Sequence, residues 1–103
     1  MGFEWDENKR QSNITKHGID FADAVKIFDG FAVNRQDTRA DYGELRFVAT
    51  GLLEGREISV IHTPRGDNTR IISARRARLE ERKIYYEEVQ KHGNRLRETG
   101  QND

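Results

Sequence analysis

The spacing of hydrophobic residues predicts a short strand and two helices in the first part of the chain. Residues 3–6 alternate apolar and polar side chains, as a half-buried strand does. The aspartate that ends this segment can cap a polar helix that continues to about Lys16 and stops at Gly18. A second helix is predicted between the candidate N-cap Asp20 and Gly30, because apolar residues recur there at helical spacing. These residues are Phe21, Ala24, Val25 and Phe28.

The middle of the chain predicts four strands that pair as an antiparallel meander. These segments are rich in Val, Ile, Leu, Phe and Thr. They lie near residues 31–35, 46–53, 56–63 and 68–74. The dipeptide Glu54-Gly55 fits a tight two-residue hairpin. Pro64 and the Gly66-Asp67-Asn68 cluster indicate a second turn.

From about residue 76 the pattern becomes helical, with Leu79, Tyr86 and Val89 on one face. The predicted order of elements is therefore β-α-α-β-β-β-β-α. This order indicates the α+β class, as a small antiparallel sheet packed with helices. A chain of 103 residues allows one domain, which we expect over residues 1–97, followed by a polar tail at 98–103.

Composition and charge favour a folded domain and argue against a generic polyanion binder. Charged residues make up 35% of the chain and hydrophobic residues 34%, a balance that by itself leans toward disorder. However, 18 Lys and Arg side chains balance 18 Asp and Glu side chains, and one Trp, three Tyr and five Phe are available for a core. Because the net charge is zero, the molecule as a whole does not steer toward nucleic acid.

Several kinds of chemistry are missing from the sequence. Without cysteine, disulfides, thiolate metal sites and cysteine nucleophiles are excluded. There is no Gly-rich phosphate loop, no His-x-x-x-His or paired-carboxylate metal spacing, and no serine nucleophile elbow. No apolar run reaches the roughly 18–20 residues of a membrane span, and no signal-peptide pattern opens the chain. We therefore expect a soluble, cytoplasmic protein whose site uses Arg, His, Lys and Tyr without a metal or cofactor.

Two histidine segments are candidates for acid–base chemistry. Lys16-His17-Gly18 ends the first predicted helix, where the helix dipole favours a cationic imidazole and the lysine adds a second donor. A helix cap with ordinary surface cations is the alternative. His62-Thr63-Pro64-Arg65 lies where a strand leaves the sheet. His62 shares its strand face with two aliphatic residues, so a hydrogen-bonded, partly buried histidine is the alternative there.

A basic segment between residues 65 and 83 is the third candidate. Seven cations face three carboxylates there, and six of the seven are arginines, whose planar fork suits phosphate oxygens. The cations are Arg65, Arg70, Arg75, Arg76, Arg78, Arg82 and Lys83. Arginines at a strand end that precedes a helix N-terminus can surround a phosphate. Ion pairs with Glu44, Glu80 or Glu81 are the structural alternative.

Alternation along the strand within this basic segment predicts two groups of side chains. Ser73 and Arg75 are expected on one face of the sheet. The residues expected on the opposite face are Arg70, Ile72, Ala74 and Arg76.

Four short motifs, in this order along the chain, point to a known family. They are Phe3-Glu4-Trp5-Asp6, Lys16-His17-Gly18-Ile19-Asp20-Phe21, Glu44-x-Arg46-Phe47 and Arg70-Ile71-Ile72-Ser73-Ala74-Arg75-Arg76. Through these motifs the chain resembles the BrnT family, toxins of bacterial type II toxin–antitoxin pairs, over about residues 3–88. The segment His62-Thr63-Pro64 departs from the family, whose members more often resemble Tyr-Thr-Glu there.

The resemblance implies a RelE-like fold and a metal-independent endoribonuclease that stops translation when unopposed. It also implies a cognate BrnA-like antitoxin with a ribbon-helix-helix DNA-binding part, and binding of operator DNA through the antitoxin complex. The positions that match the family motifs are Lys16, His17, Arg46, Arg75, Arg76 and the Arg65-Gly66-Asp67 turn.

The hypothesis for the chemistry is RNA cleavage by attack of a ribose 2′-OH on the adjacent phosphate. Arg75, with Arg46, is expected to stabilise the phosphorane charge. His17 or His62 is expected to act as general acid or base, with Lys16 at the leaving oxygen. The residues expected to hold flanking phosphates are Arg65, Arg70, Arg76 and Arg78. Two alternatives stay open: a non-catalytic module that binds a BrnA-like antitoxin and operator DNA, and a structural partner whose arginines only form ion pairs.

Overall fold

The computed structural model describes the backbone of residues 2–101 and the side chains of residues 2–93. The elements in chain order are β1 (Gly2–Trp5), α1 (Glu7–His17), α2 (Phe21–Ala24), a 3-10 helix (Val25–Asp29), β2 (Val33–Gln36), β3 (Phe47–Leu53), β4 (Arg56–Arg65), β5 (Asn68–Arg76) and α3 (Leu79–Gln101). The predicted α+β class and the predicted order of elements are confirmed.

The five strands form a single sheet in the order β1-β5-β4-β3-β2. Strands β2 to β5 make the predicted antiparallel meander. The β3–β4 hairpin turns at Glu54 and Gly55, both of which have positive φ, as a tight two-residue turn requires. Strand β1 lies beside β5 and runs parallel to it, so the sheet is mixed at this edge.

Aspartate caps begin the two N-terminal helices where the sequence predicts them. The Asp6 carboxylate accepts hydrogen bonds from two backbone N–H groups of α1, and Gly18 ends this helix with φ of 70°. The Asp20 carboxylate caps α2 by accepting one hydrogen bond, from the Ala22 N–H. The predicted second helix is a single α-turn that tightens into a 3-10 helix. This tightening brings Ile27 against β3, where a Cβ on Gly51 would lie 3.0 Å from the Ile27 Cβ.

The hydrophobic core lies between one face of the sheet and the helices that precede β2. Its buried residues are Phe21, Ala24, Ile27, Ala49, Ile58, Val60, Ile71 and Ala74. Trp5 packs its ring edge-on against Phe21, with 6.1 Å between ring centroids. We call this side of the sheet the core face, and the opposite side the polar face.

A β-bulge in β5 changes the predicted alternation. Ile61 pairs with Ser73 and the next residue of β4, His62, pairs with Ile71, which leaves Ile72 as the extra residue. The bulge places Arg70, which pairs with Thr63, on the same face as Arg75, which pairs with Ser59. The predicted placement of Arg70 opposite Arg75 is therefore wrong, and Ile71 joins Ala74 in the core.

Helix α3 turns a different face inward from the predicted one. Tyr85 is buried, whereas Leu79 and Tyr86 are exposed. The helix continues through Gln101, so residues 98–101 of the predicted tail are helical and residues 102–103 lie outside the described residues. In the described part of the chain, no helix combines the length and the apolar character needed to cross a membrane.

Candidate functional site

A polar network joins the polar face of the sheet to the start of α3. Glu81, in the first turn of α3, accepts hydrogen bonds from Arg75 Nη1 and Nη2 at 2.8 and 2.9 Å. The Ser59 hydroxyl donates to Oε1 of the same carboxylate at 2.9 Å, and lies 2.8 Å from the Thr50 hydroxyl. The Arg78 backbone N–H completes the set at 2.8 Å. Three consecutive strands and a helix are thereby fixed around one carboxylate.

The hydrogen bonds of this network keep Glu81 ionised. Burial alone raises the pKa of Glu81, but the bonds from Arg75, from the Arg78 N–H and from Ser59 outweigh burial and lower the pKa to about 2. The Arg75 and Glu81 side chains are only 14% and 17% exposed. The pair is therefore a partly desolvated, bidentate ion pair in which the arginine is held in one orientation.

Arg75 still has an unused edge. A guanidinium has five N–H donors. Glu81 takes one from each terminal nitrogen, and the Arg76 carbonyl accepts a further bond from Nη1 at 3.2 Å. Among the described residues, Nε and the second N–H of Nη2 have no acceptor, and these two donors form one edge of the guanidinium. Such an edge matches two oxygens of a phosphate.

A cleft of about 230 Å³ opens beside this network, between β2, β3 and the start of α3. Its lining includes Thr50 and Glu81, so the cleft and the network share two residues. The aliphatic part of the lining is Val33, Val48 and Ile84. The cationic part is Arg35, Arg39 and Arg78.

The β2–β3 connection forms one wall of this cleft and is organised by Asp37. The backbone N–H of Asp37 donates to the Arg46 carbonyl at 2.7 Å. Its buried carboxylate accepts from Arg39 at 3.0 and 3.1 Å and from the Tyr42 hydroxyl at 3.2 Å. The hydrogen bond from Arg39 is the largest contribution that lowers the pKa of Asp37 to about 2, against the opposing effect of burial. Arg39 is thus neutralised, whereas Arg35 and Arg78 make no ion pair with another described side chain.

Lys16 and His17 lie exposed at the end of α1. One turn earlier, Asn13 donates to the Ala74 carbonyl at 2.9 Å and accepts from the Ala74 N–H at 3.1 Å. Because β1 ends at Trp5, which pairs with Ile71, the later residues of β5 have no neighbouring strand on that side. The Asn13 amide supplies the hydrogen-bond partners of the Ala74 backbone there. Four helical residues span about 6 Å, so His17 lies about one turn from the contact with Ala74, the residue before Arg75.

His62 lies on the core face, on the opposite side of the sheet from Arg75. It is 7% exposed, and its ring contacts those of Phe28 and Phe47 at centroid distances of 5.2 and 5.8 Å. Its Nε2 lies 3.0 Å from the Asn34 Oδ1. Burial lowers the pKa of His62 below its usual value. This geometry is that of the hydrogen-bonded, buried alternative, and it gives the ring no exposed path to a polymer.

Three of the other predicted arginines are paired with carboxylates. Arg46 Nε contacts Glu44 at 3.2 Å, and its guanidinium lies 4.2 Å from the Tyr42 ring centroid. Arg70 pairs with Glu4 at 2.8 Å on the polar face, and Arg76 contacts Glu57 at 3.5 Å. Arg65 is exposed at the β4–β5 hairpin, about 20 Å along β4 from Ser59 by the rise of a strand.

The sequence does not predict Glu81, Arg35 or Arg39 as parts of a site. Glu81 was considered only as an ion-pair partner, although its place in the first turn of a helix after an arginine-rich strand is a usable signal. The Val33-x-Arg35 alternation in β2 also indicates that this arginine shares a face with an apolar residue. No signal in the sequence brings these residues to the same cleft.

Residues 5–81, most of the chain, match the model of a family described as "Ribonuclease toxin, BrnT, of type II toxin-antitoxin system". The chain belongs to the BrnT family. A crystal structure of the Brucella abortus ribonuclease toxin BrnT is 42% identical, with a TM-score of 0.62, and the match covers 76% of this chain and 97% of that one. A comparison with curated proteins found no match.

Family membership confirms the resemblance seen in the sequence motifs. As a BrnT ribonuclease toxin of a type II system, the chain has RNA as its substrate class and an antitoxin as its partner. The match begins at Trp5, the last residue of β1, spans α1 to β5 completely and ends at Glu81, so it includes both members of the Arg75–Glu81 pair. Within the described residues, no group of three or more His, Asp or Glu side chains is arranged to hold a metal ion.

Proposed function

We propose that this BrnT protein is a metal-independent endoribonuclease whose central residue is Arg75. The observation that carries the proposal is the unused guanidinium edge of Arg75, held in place on the polar face by the bidentate bond to Glu81. In the reaction, the 2′-oxygen of a ribose forms a bond to the adjacent phosphorus, and the bond from phosphorus to the 5′-oxygen breaks. The products are a 2′,3′-cyclic phosphate and a 5′-OH, so the substrate supplies its own nucleophile.

Arg75 stabilises the charge that develops on the non-bridging oxygens of the phosphorane. Such preorganised donors account for factors of about 10²–10³ in rate. Glu81 acts through Arg75, since it fixes the orientation of the guanidinium before the substrate arrives. The division of the donors matters here: three of the five N–H groups hold the arginine in place, and two remain for the phosphate.

Proton transfer is assigned to the end of α1. His17 takes the proton of the 2′-OH, and Lys16 donates a proton to the leaving 5′-oxygen. The Asn13 bonds to Ala74 support this assignment, because they hold the end of α1 about one turn from the strand that carries Arg75. His62 is left out because it is buried on the core face.

Arginines along the polar face hold the rest of the RNA strand. Arg70 lies on the same face as Arg75, four residues of β4 away from it, and Arg65 lies further along the same direction. Arg78 borders the cleft at the other side of the network. Arg46, expected to assist Arg75, is held by Glu44 and Tyr42, and reaches RNA only if that pair opens. Arg76, which pairs with Glu57, has the same constraint.

We also propose a BrnA-like ribbon-helix-helix antitoxin as the partner, operator DNA as a target of the complex, and a cytoplasmic location. Residues 1–97 are proposed as the toxin domain.

One observation favours the second candidate function, a binding module without cleavage. The guanidinium groups of Arg46, Arg70, Arg75 and Arg76 all contact carboxylates, as arginines with a structural role do.

The test is cleavage of a structured RNA in EDTA, with the cut ends mapped. The protein and an Arg56→Ala control are expected to give cyclic-phosphate ends, because Arg56 lies exposed at the β3–β4 hairpin, outside the proposed site. Arg75→Ala is expected to lose about 10²–10³-fold in rate. A folded Arg75→Ala protein that cleaves at full rate contradicts the assignment. RNA that stays intact, both free and on translating ribosomes, supports the binding module.

A further inference from the structure

The cleft beside the Arg75–Glu81 network has the features of a site for one nucleotide. Its volume of about 230 Å³ lies below the roughly 300–1,000 Å³ of sites for drug-sized ligands, so it suits a smaller planar group. Val33, Val48 and Ile84 supply an apolar surface without an aromatic ring. Single-stranded RNA is read through bases that have left their stack, usually on aromatic rings or guanidinium planes, and here the aliphatic side chains and the arginines of the lining offer the contact to the face of such a base.

Charge in the cleft fits the phosphate of the same nucleotide. Asp37 neutralises Arg39, and Arg75 neutralises Glu81. The charges that remain in the lining are those of Arg35 and Arg78 against Glu80, an excess of one positive charge. Both arginines are exposed, and neither makes an ion pair within residues 2–93.

The position of the cleft relates it to the reacting phosphate. Thr50 and Glu81 belong both to its lining and to the network that orients Arg75. A nucleotide in the cleft therefore lies next to the carboxylate that orients Arg75. We infer that this cleft is a base-binding subsite that selects where the RNA is cut, with Val33, Val48 and Ile84 against the base and Arg35 and Arg78 on its phosphate. This inference rests on the proposed ribonuclease function.

Binding and cleavage test the subsite separately. The four ribonucleoside 5′-monophosphates and ribose 5-phosphate are titrated into the ¹⁵N-labelled protein, and backbone amide shifts are followed. At least one monophosphate is expected to shift the amides of Val33, Val48 and Thr50 and to bind better than ribose 5-phosphate. Shifts that are equal for ribose 5-phosphate indicate an anion site without base recognition, and this result overturns the inference. The absence of cleft shifts at millimolar concentration overturns it as well.

Two tryptophan variants provide a matched pair. Val48 and Leu52 lie on the same strand and the same face, but only Val48 lines the cleft. Val48→Trp fills the cleft and excludes the base, so it is expected to weaken nucleotide binding at least about tenfold and to change the distribution of cut sites. Leu52→Trp, at a residue that is 42% exposed, is expected to change neither. Unchanged cut sites in a folded Val48→Trp protein contradict the inference.

A variant that only removes charge covers the case in which Val48→Trp does not fold. The double variant Arg35→Ala/Arg78→Ala keeps the Arg78 backbone N–H that binds Glu81. It is expected to lose nucleotide binding while thermal unfolding stays close to that of the parent, and retained binding contradicts the assigned phosphate contacts. If the cleft binds nucleotides but the protein does not cleave RNA, only the proposed function is contradicted. If the protein cleaves RNA but the cleft variants change neither nucleotide binding nor the cut sites, only this inference is contradicted.

Discussion

The core face of the sheet packs Phe21, Ala24 and Ile27 against buried aliphatic side chains, whereas the polar face carries Arg75, Glu81 and Ser59. Burial of apolar area stabilises the first arrangement. In the second, the desolvation of two charges offsets most of their attraction, so the pair adds little net stability. The core face therefore supplies most of the net stability, and this stability keeps Arg75 in one orientation on the polar face.

The largest effect on stability is expected from the core face. Phe21→Ala removes a fully buried ring that packs against Trp5, and is expected to lower the free energy of unfolding by about 3–5 kcal/mol. Urea denaturation followed by Trp5 fluorescence measures this loss. Leu52→Ala, at an exposed site on the polar face, serves as the control and should change stability by less than about 0.5 kcal/mol. Equal losses in the two variants would remove the distinction between the faces.

On the polar face, removal of one partner of the ion pair is expected to cost more than the pair contributes. Glu81→Ala leaves Arg75 without its carboxylate and Ser59 without its acceptor. It is expected to lower stability by about 3 kcal/mol, the low end for a broken buried pair, because both side chains keep some exposure. The double variant Arg75→Ala/Glu81→Ala is expected to be less destabilised than the sum of the two single variants. Additive losses in urea denaturation would show that the two side chains act independently.

The variant Asn13→Ala tests whether the hydrogen bonds of Asn13 hold the end of α1 against β5. Asn13→Ala leaves the Ala74 N–H and carbonyl without their described partner, and is expected to cost about 1–3 kcal/mol. Amide hydrogen exchange at Ala74 is expected to become faster. Thr15→Ala, at an exposed position of the same helix, provides the comparison. If His17 takes part in cleavage, Asn13→Ala also lowers the cleavage rate more than Thr15→Ala does.

The smallest expected effect is a difference in the pH at which each face loses stability. Burial lowers the pKa of His62 from 6.5, so the unfolded chain binds its proton more readily, and stability falls as the pH drops below about 6.5. The pKa of Glu81 is about 2 instead of 4.5, so its contribution is lost only between about pH 4.5 and 2. Denaturation midpoints at successive pH values measure both steps. His62→Phe is expected to remove the first step and to leave the second unchanged.

Much of the fold and part of the site were accessible from local patterns. Period-2 alternation and turn residues located β2 to β5, and aspartate caps located α1 and α2. The face of α3 was predicted wrongly, because Leu79 and Tyr86 are apolar at helical spacing but lie outward, and Tyr85 packs inward instead. Apolar spacing indicates that a helix is amphipathic. A highly charged helix has two apolar stripes of similar size, however, and only its contacts with the sheet determine which stripe is buried.

Arg75 was predicted to stabilise the phosphorane charge together with Arg46, and this role remains a prediction. The arginine-rich strand end suggested it, and the structure adds the bidentate bond to Glu81 and the unused edge. Arg35 and Arg39 were not predicted, because they lie about 40 residues earlier in the chain and reach the cleft only through the pairing of β2 with β3. His62 occurs in a segment that suggests catalysis, yet the strand face on which it lies is packed against Phe28.

The order of the elements, the tight hairpin and the family motifs were all present in the sequence, since each depends on residues that are neighbours in the chain. The tertiary structure was needed to place Arg70 on the same face as Arg75. The extra residue Ile72 moves the residues that precede it in β5 to the opposite face from the one that simple alternation predicts. The tertiary structure was also needed to bury His62 and to bring Glu81 to Ser59. These outcomes depend on which strand faces are covered, and that is determined by packing between segments that are distant in sequence.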